Sequence, residues 1–189
     1  MSFCLGKCRI CIGYEAAAAL TAVLLLDREN RIILCITAAA LHELGHLIMM
    51  RLCGVAVRGV SLRLFDVRID ADSPRRVRDD ILITLGGVTV NFLLAAMFVP
   101  CGMFFGYANL ALGSFNLLPV MSLDGGRLLT ILLSRRYGAR ICDRVLKITS
   151  FVILLPLMTA GIYTLLQSGY NYSLLFVSLY LTAILLLKS

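Results

Sequence analysis

The chain has 189 residues, of which 60% are hydrophobic and only 15% are Asp, Glu, Lys or Arg, against about one quarter charged in soluble domains. That composition excludes an ordinary soluble domain and places the chain in lipid. The net charge of +7 needs no nucleic acid, because cations flanking apolar spans and meeting anionic lipid headgroups account for it. No linker, low-complexity tract or internal repeat divides the sequence, so one membrane-embedded domain, residues 1–189, is expected.

Apolar runs bounded by charges are measured against the roughly 20 residues that cross a hydrocarbon core. In chain order, the first predicted span is 12–26, short and carrying Glu15 near its inner end. Leu24-Leu25-Leu26-Asp27 lacks the small-residue pattern of a signal-peptide cleavage site, so the span reads as an anchor. The second is 32–53, closed by Arg51 and Gly54. Residues 54–70 alternate apolar and polar at Val60, Leu62, Leu64, Val67 and Ile69, which predicts a β-hairpin-like segment with a turn or bulge near Phe65-Asp66, cytoplasmic or at the membrane edge. Its edge is expected to pair with an extended substrate, or else to rest as an amphipathic strand pair on the lipid surface.

The 43 residues 81–123 carry no charge. That is too long for one crossing and predicts two, 81–101 and 107–123, turning near Gly102 and Tyr107. Residues 148–187 likewise predict spans 148–167 and 172–187, joined around Gln167, Ser168, Gly169 and Asn171. The fold class expected is therefore all-α and polytopic, with six transmembrane helices and a small β segment. With both termini cytoplasmic, 16 of the 18 Lys and Arg residues fall inside, leaving Arg28 and Arg31 outside, as the positive-inside rule requires.

Seven cysteines make no disulfide framework, and Cys35 and Cys101 lie in predicted spans. Cys4, Cys8 and Cys11 have a spacing like that of cluster ligands, but three thiols on a short tail fit lipidation or simple exposure better.

The second span contains Leu41-His42-Glu43-Leu44-Gly45-His46. Residues four apart share a helix face, about 6 Å apart along the axis, so two imidazoles can grip one zinc ion, with Glu43 as base. His42 and His46 are the only histidines, and an ionisable group in such a run costs about 2.5 to 3.5 kcal/mol even on the lenient insertion scale. Gly45 and Ala38-Ala39-Ala40 offer a small-residue surface for a neighbouring helix. The bland alternative is that the three ionisable groups merely bridge helices. For a third ligand the candidate is Asp124, the first charge after the neutral block and followed by Gly125-Gly126; it suits N-capping of the next helix as well. Asn91, in Leu85-Gly86-Gly87-Val88-Thr89-Val90-Asn91, and Asn116 sit in apolar spans where an amide holds substrate backbone, stabilises an oxyanion or bridges helices, and Pro119 interrupts its helix. Asn116, Pro119, Asn91, Gly86 and Gly87 are thus the substrate-binding or supporting set.

His42-Glu43-Leu44-Gly45-His46 in one span and Asn116-x-x-Pro119-x-x-x-x-Asp124-Gly125 in a later one together resemble the site-2 protease family of intramembrane zinc metalloproteases, peptidase family M50. The resemblance runs from the second span to about Arg127. It implies one zinc per chain, held by His42, His46 and Asp124, Glu43 as catalytic base, and cleavage within or next to transmembrane segments of protein substrates, often releasing a tethered regulator. Partners implied are a membrane-protein substrate, membrane lipids and membrane-protein regulators, with a bacterial cytoplasmic membrane as the location. The layout is most similar to the branch that processes a sporulation sigma factor, but no nucleotide-sensing domain is expected after the last span and no PDZ-like insertion is present. Competing readings are a peptidase trimming lipidated tails, a metal transporter, and a non-catalytic zinc-binding membrane scaffold of the same fold.

Overall fold

The computed structural model describes residues 2–5, 8–12, 31–63, 66–74, 76–168 and 173–187, and it divides into two units, Met1–Ser114 and Phe115–Ser189. The predicted span 12–26 lies outside the described residues except for Ile12, which ends a strand.

In the first unit, α1 (Arg31–Leu52) has 22 residues, a length of about 33 Å at 1.5 Å per residue, enough to cross a hydrocarbon core. Its end is set by Gly54 at φ +69°. The Val55 N–H donates to the Met50 carbonyl at 2.8 Å and the Gly54 N–H to Arg51 at 3.2 Å, the nested pair of a Schellman cap that a left-handed glycine permits. Beyond it the chain enters a sheet.

Four strands form that sheet: β1 (Ser2–Leu5), β2 (Cys8–Ile12), β3 (Val57–Arg63) and β4 (Asp66–Ala71), in the order β1-β2-β3-β4. β1 and β2 are antiparallel, β2 runs parallel to β3 with Ile12 opposite Leu62, and β3 is antiparallel to β4 with Val60 opposite Ile69. The expected hairpin at 54–70 is present but is half of a larger sheet. The turn expected near Phe65-Asp66 agrees with the register, which sets Arg63 opposite Asp66, and a further irregularity lies between Val57 and Gly59; Phe65 itself lies outside the described residues. Of the hairpin expected to offer an edge, β3 is paired on both sides and only β4 is open, the other outer strand of the sheet being β1. Sequence could not show this, because the partner β2 is contributed by the segment before the first predicted anchor.

α2 (Val77–Phe98) starts four residues earlier than the predicted span, with Asp79 and Asp80 in its first turn, where the helix dipole favours carboxylates. Charge ends a membrane span without ending a helix. The turn after it holds Gly102 at φ +66°, with the Gly102 N–H on the Val99 carbonyl at 2.9 Å. α3 (Phe104–Asn116) follows. α1 and α2 approach backbone to backbone: a β-carbon on Gly45 would lie 2.6 Å from the Gly86 carbonyl oxygen and 2.9 Å from the Gly87 Cα. Of the three alanines expected on this surface, Ala38 is buried, whereas Ala39 and Ala40 are exposed.

The second unit begins with the last two residues of α3. The span predicted at 107–123 is not one helix, since α3 stops at Asn116 and residues 117–123 are non-helical. Pro119 accounts for this: it has no N–H and pushes Leu118 away from α geometry. α4 (Asp124–Leu133), α5 (Ala139–Ser168) and α6 (Ser173–Leu187) complete the unit. Val120, Leu154, Leu181 and Leu185 form its core, with Phe115, Leu118, Met121 and Tyr180 packed around them. α5 begins nine residues before the predicted span, carrying Arg140, Arg144 and Lys147 beyond the apolar stretch. Among the described residues, α1, α2 and α5 are long and apolar enough to cross a membrane by length and composition.

Candidate metal centre

His42 and His46 occupy one face of α1 and are 5% and 8% exposed. Their burial follows from the glycines opposite. A β-carbon on Gly87 would lie 2.6 Å from His46 Nε2 and 2.8 Å from His42 Nε2, closer than non-bonded atoms sit, so α2 leaves a hollow that the rings fill.

Each ring is held from behind. His46 Nδ1 lies 2.8 Å from the Ile83 carbonyl oxygen. A carbonyl only accepts, so Nδ1 carries a proton, and in the neutral ring Nε2 is then the lone pair. His42 Nδ1 lies 2.5 Å from Asn91 Oδ1, again with Nδ1–H as donor. Asn91 Nδ2 donates to Asn109 Oδ1 at 2.8 Å, and Asn109 Nδ2 to the Phe105 carbonyl at 2.8 Å. Asn91 and Asn109 are both 0% exposed.

The two Nε2 atoms therefore face each other at 3.1 Å, with the rings 88° apart. Two lone pairs at that distance repel unless a cation lies between them. Zinc–nitrogen bonds of about 2.0 to 2.1 Å at a tetrahedral angle separate two nitrogens by about 3.3 Å. The pair thus fits zinc in spacing, donor type and tautomer.

Glu43 is half-buried on α1, rotated about 100° around the helix axis from His42. Within the second unit, Asp124 is the first residue of α4, and the N-cap is Leu123 in an extended conformation (φ −108°, ψ 164°) with no side-chain cap bond. Asp124 is therefore not itself the N-cap residue; its half-buried carboxylate sits in the first turn, where the dipole favours negative charge. The glycines after it have a steric cause. A β-carbon on Gly125 would collide with the Leu117 and Leu118 carbonyls, and one on Gly126 with that of Val120, because residues 117–121 fold over the start of α4. Asn116 ends α3 and Pro119 lies in this folded stretch. Ser150, 0% exposed, fastens it: its Oγ accepts the Met121 N–H at 2.9 Å and donates to the Leu146 carbonyl at 2.7 Å.

The structure thus brings together His42, His46, Asn91 and Gly87, with Gly86 against Gly45, in the first unit, and gathers Asn116, Pro119 and Asp124 around the start of α4 in the second. Sequence reasoning missed Asn109 and Ser150. Asn109 carried the same signal as Asn91, an amide in a neutral run, but its partner was invisible without the packing; an isolated Ser in a helix carries no signal.

Residues 100–160 match the family model described as peptidase family M50. A zinc metalloprotease of Methanocaldococcus jannaschii is 30% identical over 159 residues, covering 74% of this chain and 46% of the relative, so the match spans less than half of that protein. The fold resembles that of a site-2 protease from Methanocaldococcus jannaschii, with a TM-score of 0.69 over 96% of this chain and 92% of the other at 22% identity. In its two motifs, its fold and these relatives, the chain is similar to peptidase family M50, the family of the site-2 proteases.

Proposed function

We propose that the chain is an intramembrane zinc metalloprotease in which His42, His46 and Asp124 hold one zinc ion and Glu43 is the catalytic base. The observation that carries this reading is the pair of imidazoles with Nδ1 protons engaged and Nε2 lone pairs facing at 3.1 Å, on an apolar helix long enough to cross a membrane. Asp124 is the proposed third ligand because the Asn-Pro-Asp-Gly motif supplies a carboxylate at a helix N-terminus, where Gly125 and Gly126 pack closely against the backbone of the preceding segment.

Zinc, when bound, supplies a Lewis acid and acidifies water at neutral pH. His42 and His46 keep their Nε2 atoms unprotonated for it, through the acceptors behind each ring. A Glu43 carboxylate oxygen takes the proton from the attacking water and later delivers it to the leaving amine nitrogen. Substrate helices must unwind before their amides are accessible, and the outer strand β4 offers main-chain pairing to an extended segment. Asn116 is proposed to contact substrate backbone next to the scissile bond.

The finer picture belongs to the same proposal: six spans with both termini cytoplasmic in a bacterial membrane, and a membrane-tethered regulator released by regulated proteolysis. The experiment is zinc stoichiometry together with cleavage of single-span substrates in liposomes by the wild type and by Glu43→Gln. Zinc bound by both with cleavage only by the wild type supports a protease; zinc bound with no cleavage by either supports the non-catalytic scaffold instead.

A further inference from the structure

We infer that Asn109 is a positioning residue for the metal site: anchored on the Phe105 carbonyl, it fixes the direction of the Asn91 amide and through it the tautomer of His42. The inference rests on the proposed zinc role of His42.

The reasoning starts at an atom with one possible behaviour. The Phe105 carbonyl oxygen only accepts, so the end of Asn109 lying 2.8 Å from it must be the NH2 group. Asn109 Oδ1 then faces Asn91 and only accepts, so Asn91 presents its NH2 there, at 2.8 Å. Asn91 Oδ1 is left towards His42 Nδ1, and His42 must place its proton on Nδ1. Had the Asn91 amide turned over, its NH2 would meet Nδ1, the proton would move to Nε2, and the atom facing His46 would cease to be a ligand.

Three features indicate that direction is the purpose of the relay. Both amides are completely buried, so water cannot substitute for a missing partner. Asn109 touches neither imidazole directly in this chain of bonds, so its effect on His42 passes through Asn91. His46 needs no such device, because a backbone carbonyl already faces its Nδ1; His42 has a side-chain amide there, which is ambiguous until something orients it. Gly113 keeps α3 close enough, since a β-carbon there would lie 3.1 Å from the Asn91 Cβ.

The test uses the full chain purified in detergent, with zinc affinity read by competition with a chromophoric chelator and site geometry by the visible absorption of the cobalt(II) form. Asn109→Leu keeps the volume and removes the anchor, leaving the Asn91 amide free to turn, so zinc affinity should fall about 10- to 100-fold, the usual range for a lost outer partner. Adding Asn91→Asp to that variant should restore affinity to within about threefold of wild type and restore the cobalt spectrum, because a carboxylate accepts at either oxygen and has no wrong direction. A merely structural amide predicts the opposite, since a buried carboxylate beside leucine would weaken the fold and the site further. Wild-type affinity in Asn109→Leu, or further loss on adding Asn91→Asp, overturns the inference while leaving the protease reading intact. Failure of the wild type itself to bind zinc would instead overturn the reading on which it rests.

Discussion

Gly87 lies so close beneath His46 that a single methyl group there would sit 2.6 Å from the ring Nε2. The hollow under the two imidazoles is made by the absence of a side chain on α2, and the metal site therefore depends on a residue with no functional group.

Replacing Gly87 with Ala should push both rings off their present positions. Zinc affinity is expected to drop at least tenfold, measured by chelator competition, while far-ultraviolet circular dichroism shows the helices retained. Undiminished affinity would mean that the rings have room the structure does not give them. Gly45→Ala meets backbone instead of rings, so its main effect should be on stability, a loss of about 1 to 3 kcal/mol typical of overpacking.

Glu43→Gln preserves shape and removes the base. Zinc stoichiometry should be unchanged and turnover of a single-span substrate should fall at least about a hundredfold, the lower end of what general acid–base catalysis contributes. Near-normal turnover by a purified variant would remove Glu43 from the chemistry.

Because β4 is an outer strand, successive residues along it point their N–H groups alternately towards β3 and away from it. Prolines introduced one at a time at Val67, Arg68, Ile69 and Asp70 should divide into two classes. Those that remove an outward N–H should lower kcat/KM with zinc binding intact; those that remove an inward one should unsettle the sheet. Unchanged kcat/KM across all four would reject substrate pairing at this edge. A proline at Leu62 tests something different, since β3 is bonded on both sides and the substitution disrupts the sheet itself.

Ser150→Ala removes the acceptor for the Met121 N–H. Leaving that donor without its partner should cost about 1 to 3 kcal/mol, seen as a lower Tm of the apo protein. A Tm equal to that of the wild type would show that the segment after Pro119 is held by other means.

The long apolar helices were legible in the sequence because lipid imposes a length and forbids charge. The second predicted span, 32–53, agrees with α1 to within one residue at each end. Charge proved a poor guide to where helices end: α2 and α5 continue into charged turns, because a helix is sustained by its backbone hydrogen bonds and not by apolar side chains. The break after Asn116 was announced by Pro119, but a neutral run of 43 residues hid how early the helix stops.

What the sequence determined by itself was chemical identity: two histidines four apart on an apolar helix, a glutamate between them, and an Asn-Pro-Asp-Gly motif downstream, all fixed by local spacing. The tertiary structure alone decided which hydrogen bonds surround those residues. Asn91 and Asn109 are 18 positions apart and Asn91 and His42 49 apart, so only helix packing brings one amide to bear on the next and puts an acceptor behind each Nδ1. The same holds for the sheet edge, where β2 reaches β3 from far away in the chain. Spacing along one helix is set by its pitch, whereas proton placement is set by whatever a neighbouring helix presents, and no local pattern encodes that.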